Sequence, residues 1–173
     1  MLSSRFSILR ILLLGGFALG SLGLHGALAQ EADHDHVHGV GQLNVAVDGD
    51  LLLIELISPA MDLLGFAHSP QTEIQRLAVD AARAHLQAPE RLFAPTPAAG
   101  CVRIATEIEI EIELDVDVYA SYAFDCQHPL ALRELSIGFF ETFPDARALR
   151  VQLLTETRQD ALELSPDDQR LPL

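Results

Sequence analysis

GQLNVAVDGDLLLIELIS, residues 41–58, alternates through Leu43, Val45 and Val47, breaks at Asp48-Gly49-Asp50, and resumes as a mostly apolar run to Ile57. Period-two alternation is the pattern of a half-buried strand. Asp-Gly between two β-rich runs is a strong hairpin signal. Ser58-Pro59 ends the second run. The chain beyond Gly39 therefore starts as an antiparallel hairpin, and the fold is expected to be built mainly from strands.

Downstream, PAMDLLGFAHSP (59–70) reads as a loop punctuated by Pro59, Gly65 and Pro70. TEIQRLAVDAARAHLQ (72–87) is the one convincing helix. Its expected buried stripe is Ile74, Leu77, Ala78, Ala81, Ala82, His85 and Leu86. Thr72 can cap it and Pro89 stops it. APERLFAPTPAAG is a proline-rich connector. From Cys101 to Cys126 no Gly or Pro occurs, a stretch too long for an ordinary strand, so a reversal is expected near Glu113–Asp117.

Within that stretch, TEIEIEIELDVDV (106–118) sets Glu or Asp at every odd position from Glu107 to Asp117 and Ile, Leu or Val at every even one from Ile108 to Val118. A half-buried strand with a solvated acidic face satisfies this pattern without any ligand. Alternate residues stand about 7 Å apart at Cα, too far for most neighbouring carboxylates to grip one ion. Apolar side chains lie on even numbers, yet Cys101 is odd and Cys126 even. Opposed residues of an antiparallel pair share a face, so a simple hairpin does not oppose the two cysteines. A bulge, or pairing between non-adjacent strands, would reconcile them. The tail adds RELSIG, a turn or helical piece at FFETFPDA, and strands at ALRVQLLTE and ALELSP. About seven strands and one helix give a mainly β, α+β class: a two-layer antiparallel β-sandwich-like domain.

Length and charge narrow the role. The chain has 173 residues and a formal charge of −14, and every basic residue is arginine. One domain is expected. Nucleic acid and anionic lipid are repelled by such a chain, whereas cations or a basic protein surface attract it. The N-terminus carries Arg5 and Arg10, then the apolar stretch Ile11–Leu24, then Ala27-Leu28-Ala29. This is the order of a secretory signal peptide, 1–29, cut after Ala29, with no membrane insertion afterwards. Residues 30–38 are expected to form a mobile His/Asp-rich segment, and 39–173 a single β-rich domain. Two cysteines in an exported chain read most simply as one disulfide.

DHDHVHG (33–39) carries His34, His36 and His38 at alternate positions. In extended chain such residues point the same way. Neutral imidazoles at that spacing can converge on zinc, copper or nickel, with Asp33 and Asp35 adding oxygens. A borderline divalent cation is the expected ligand. His68 lies in a loop, His85 is expected in the core, and His128 in a turn. No nucleophile elbow, HExxH or reactive cysteine is present, so no enzyme is expected.

Taken in order, HVHG (36–39), SPAMDLLGFAHSP (58–70), AAGC (98–101), YAFDC (122–126), FFETFP (139–144) and ALELSP (161–166) resemble the DUF2796 family. Its members are zinc-regulated, zinc-binding periplasmic proteins of Gram-negative bacteria. The resemblance covers nearly all of the chain beyond residue 30. It implies a periplasmic β-sandwich-like protein that binds zinc and assists a zinc ABC importer, with that importer's periplasmic component as partner. It carries His36, His38 and His68 over as zinc ligands and Cys101 and Cys126 as the cysteine pair. Asp117 is expected as an added oxygen ligand of that site. Members commonly carry a long His/Asp-rich insert between the cysteines; here the acidic ladder stands in its place. An interaction module of the envelope that binds no metal is the alternative.

Overall fold

The computed structural model describes residues 37–111 and 117–173. Strands β1 (Val40–Asp48) and β2 (Leu51–Pro59) form the hairpin read from residues 41–58. Helices α1 (Ala60–Leu64), α2 (Glu73–Leu86) and α3 (Pro89–Leu92) follow, then β3 (Phe93–Pro95). Strands β4 (Cys101–Glu111), β5 (Asp117–Cys126) and β6 (Glu134–Ile137) come next. The short α4 (Phe139–Thr142) precedes β7 (Ala148–Leu154), β8 (Gln159–Leu164) and β9 (Arg170–Pro172).

The strands make a six-stranded sheet in the order β4-β5-β2-β1-β7-β8 and a three-stranded sheet in the order β3-β6-β9. All pairings are antiparallel except β1 with β7, which run parallel from Val40↔Ala148 to Ala46↔Leu154. The α+β class with its two β layers is as the sequence implies. Among the described residues no helix is long and apolar enough to cross a membrane.

One face of the large sheet is core. Leu43 and Val45 of β1, Leu52, Ile54 and Leu56 of β2, and Val118, Ala120 and Phe124 of β5 are all buried. Leu149, Val151 and Leu153 continue this face on β7. Phe93, Leu135, Ile137 and Leu171 of the small sheet join the same cluster, together with Leu86 of α2. Phe93 stacks on Phe139 at 6.2 Å and meets Tyr122 at 6.0 Å. The Tyr122 hydroxyl donates to the Leu86 carbonyl at 3.0 Å, pinning the end of α2 to β5. Burial pushes that phenol well above its usual range.

Three features differ from the sequence expectation. The first is the rotation of α2. Its capping box forms as the sequence allows: the Gln75 amide N–H donates to Thr72 Oγ1 and the Thr72 N–H to Gln75 Oε1, both at 3.2 Å. Its buried side, however, carries Ala82 and Leu86 with Ala78 and Val79 half-covered. Ile74 is 80% exposed and Leu77 60%. Ala81 and His85 are exposed too, and the His85 ring meets Phe143 edge-on at 6.0 Å. Two adjacent arcs of this helix are apolar, so periodicity could not choose between them. The Tyr122–Leu86 bond and the Leu86 side chain decide it.

The second is local. The stretch read as a loop holds α1, closed by Gly65 at φ 77°, a left-handed C-cap that glycine adopts without strain. The connector holds α3 and β3.

The third settles the cysteine parity. Cys101 opposes Cys126 across the β4–β5 pair, and the two form a disulfide. The register slips between Arg103 and Ala105, leaving Ile104 as the extra residue of a bulge. On one side of it odd opposes even, as at Cys101↔Cys126. On the other side like opposes like, as at Ile108↔Ala120. β4 and β5 are antiparallel, so the chain reverses between Glu111 and Asp117.

Candidate functional site

One end of the six-stranded sheet holds His38, just before β1, and Asp117, at the start of β5. β1 and β7 begin there at Val40 and Ala148. β2 ends there at Pro59, opposite Asp117 at the start of β5, which in turn opposes Glu111 at the end of β4. Residues 37–39, the SPAMD block and the described ends of the acidic ladder thus meet the sheet at the same end.

The best-defined contact here involves Asp62. This residue of α1 is 4% exposed, and both of its carboxylate oxygens lie 2.9 Å from the Gly39 amide nitrogen, which donates to them. The Gly39 carbonyl accepts from the amides of Arg147 and Ala148 at 2.8 and 2.9 Å. The Arg147 guanidinium donates to the His38 carbonyl. Gly39 has φ 86°, a left-handed conformation that glycine adopts without strain, and a Cβ there would meet only the movable end of the Arg147 side chain. The chain immediately after His38 is therefore held by two elements distant in sequence. Burial raises the Asp62 pKa above its ordinary value. The Gly39 N–H and the charges of His38 and Arg147 oppose that rise, and Asp145 adds to it.

His38 itself is exposed. His68 is exposed as well, four residues beyond α1. Its Nδ1 lies 2.9 Å from the Ser69 carbonyl oxygen, and its Nε2 lies 3.5 Å from Gln75 Nε2. A ring protonated on Nδ1 satisfies both contacts, donating to Ser69 and accepting from Gln75. In this tautomer the Nε2 lone pair is taken by Gln75, which a metal would have to displace to bind this ring oriented by the Ser69 carbonyl. Its ring also packs 5.3 Å from Phe66.

The carboxylates of the ladder divide. Glu107 and Glu109 are exposed, while Ile108 and Ile110 lean on the core, as a half-buried strand requires. Asp117 departs from the pattern: it is 2% exposed, with the Tyr119 hydroxyl donating to Oδ2 at 3.5 Å. Among the described residues, no three of His, Cys, Asp and Glu come together closely enough to hold a metal ion. His38, His68 and Asp117 are thus not gathered into one site. His34 and His36 lie outside the described residues. Both sulfurs are committed to the disulfide, which removes thiolate from the donor set. His128 stands exposed before a short 3-10 turn, in keeping with its expected place in a turn.

The sequence reading missed Asp62 and Arg147. A signal for the first was present: a lone acid inside the apolar run AMDLLGF. Nothing local marks Arg147, whose role depends on the pairing of β1 with β7.

Comparison with curated proteins found no match. A family model described as ZrgA family zinc uptake protein matches residues 35–173, from the histidine segment to the C-terminus. That family is the same as DUF2796. The match spans every described residue and the motifs assembled at this end of the sheet, and the chain belongs to the ZrgA family of zinc uptake proteins.

Proposed function

We propose that this protein is a periplasmic zinc-binding accessory of a zinc ABC importer, exported by its N-terminal segment and binding rather than transforming its cargo. Zinc is held by imidazoles of the His34, His36 and His38 segment, with His68 and a carboxylate or water completing a tetrahedral shell. The supporting observation is the hold on Gly39 by Asp62 and the β7 start, which fixes the root of the histidine segment. A ligand-bearing segment rooted on a rigid sheet suits metal that must be handed on. The acidic surface raises the local cation concentration, an effect that salt screens. Imidazole must lose its proton to ligate, so affinity falls as the solution is acidified.

Zinc titration calorimetry on residues 30–173 tests this, alongside a His36→Ala/His38→Ala/His68→Ala variant. Tight binding that the variant loses upholds the histidine site. Weak, salt-sensitive binding that survives in the variant assigns zinc to the carboxylates. Absence of tight binding in the wild-type protein favours the metal-free interaction module.

A further inference from the structure

The face of the six-stranded sheet that looks away from the core is ordered by the strand registers into rows. One row is apolar and crosses five strands: Ala105, Ala123, Leu53, Ala46 and Leu154 stand opposite one another in turn. Leu53 is 40% exposed and Leu154 56%. The next row on one side holds Glu107, Ser121, Glu55 and Asn44. The row on the other side holds Val102, Asp125, Leu51 and Asp48. An apolar track is thus flanked on both sides by carboxylates, all four of them exposed. The track is a depression: a cavity of about 640 Å³ lies over its β1, β2, β7 and β8 portion. A second of about 420 Å³ lies over the β2, β4 and β5 portion. Leu53 and Glu55 line both, so the two lie side by side. Arg150 on this face is matched by Glu163 at 4.0 Å, and Arg158 at its β8 edge by Asp160 at 3.3 Å.

We propose that this open sheet face is a docking surface for a basic protein segment, one whose apolar side chains fill the Leu53–Leu154 track while flanking lysines or arginines meet Glu55 and Glu107 on one side and Asp48 and Asp125 on the other. Charge complementarity selects that occupant. A second copy of this chain would set carboxylates against carboxylates, which costs free energy. Anionic lipid and nucleic acid are repelled for the same reason. A partner lacking apolar residues would leave the leucines wet. The surface is built from residues other than the histidines, so the inference does not depend on zinc binding.

The test is a chemical-shift titration of isotope-labelled residues 30–173 with three synthetic peptides of equal length: alternating Leu/Lys, alternating Ser/Lys and alternating Leu/Glu. It is run with and without chelator. The Leu/Lys peptide is expected to shift amides around Ala46, Leu53, Ala123 and Leu154, with a zinc-independent affinity that falls as salt rises. Leu53→Ser/Leu154→Ser should weaken it about tenfold or more, and Glu55→Gln/Glu107→Gln about threefold. Both variants change exposed side chains, and an unchanged amide spectrum elsewhere verifies their fold. The Ser/Lys peptide should bind more weakly and the Leu/Glu peptide not at all. Equal binding of Ser/Lys and Leu/Lys, spread over the whole acidic surface, would overturn the proposal. So would self-association of the free protein through this face, abolished by Leu53→Ser/Leu154→Ser.

Discussion

Asp62 and Glu109 are carboxylates near the same end of one sheet, and their surroundings give them opposite roles. Asp62 is buried, and both of its oxygens are engaged by one backbone amide. Glu109 stands in water beside Glu107 on β4, where its neighbours in sequence are anchored by Ile108 and Ile110 rather than by the acids. A conspicuous row of acids can thus be structurally light, while a single inconspicuous one ties together β1, α1 and β7. What decides is desolvation: a buried donor or acceptor without its partner is costly, whereas an exposed one exchanges its partner for water.

Substitution should reproduce that contrast. Asp62→Ala leaves the buried Gly39 N–H without its acceptor and is expected to cost about 1.5–3 kcal/mol in a urea melt, the range for a hydrogen bond to a charged group. A loss below half a kcal/mol would erase the distinction between the two carboxylates. Arg147→Ala removes the bond to the His38 carbonyl from an exposed side chain and should cost about 1 kcal/mol. It should also leave the histidine segment less protected from limited proteolysis. Tyr122→Phe deletes the 3.0 Å bond to Leu86 and leaves its carbonyl unpartnered, again about 1 kcal/mol in the same melt. Glu107→Gln with Glu109→Gln is expected to stay within about half a kcal/mol of wild type.

Acidity sharpens the same comparison. The raised Asp62 pKa means that the folded state holds its proton at a pH where the unfolded state has released it. Stability therefore falls as pH rises from the ordinary carboxyl value through the raised one, and the full cost is present above it. Asp62→Asn keeps an acceptor for Gly39 without the charge. Urea midpoints at mildly acidic and neutral pH should show this component in the wild type and not in Asp62→Asn. Parallel pH dependences would mean that Asp62 titrates as if exposed.

Local pattern carried much of the fold. The Asp-Gly hairpin, the capped helix and the wet-and-dry alternation of β4 follow from short-range rules that the structure obeys. What escaped was non-local. Ile104 is a bulge with no Gly or Pro to announce it, and its existence could be argued only from the mismatch between Cys101 and Cys126. The β1–β7 pairing joins residues far apart in the chain, and with it went Arg147. On α2, Ile74 and Leu77 outrank Val79 and Ala82 in apolar bulk, yet the core needed the smaller pair. For the candidate site, the histidines at 34–38 were conspicuous because of their spacing. The residue that secures their root, Asp62, was hidden because its function is to satisfy one backbone N–H.

The central claim is that zinc is taken by imidazole and not by the acidic ladder. Zinc K-edge X-ray absorption on residues 30–173 loaded with less than one equivalent of zinc tests it most directly. The account predicts a four-coordinate shell at about 2.0–2.1 Å with the multiple scattering of at least two imidazole rings. A shell of oxygens alone, without ring scattering, would contradict it.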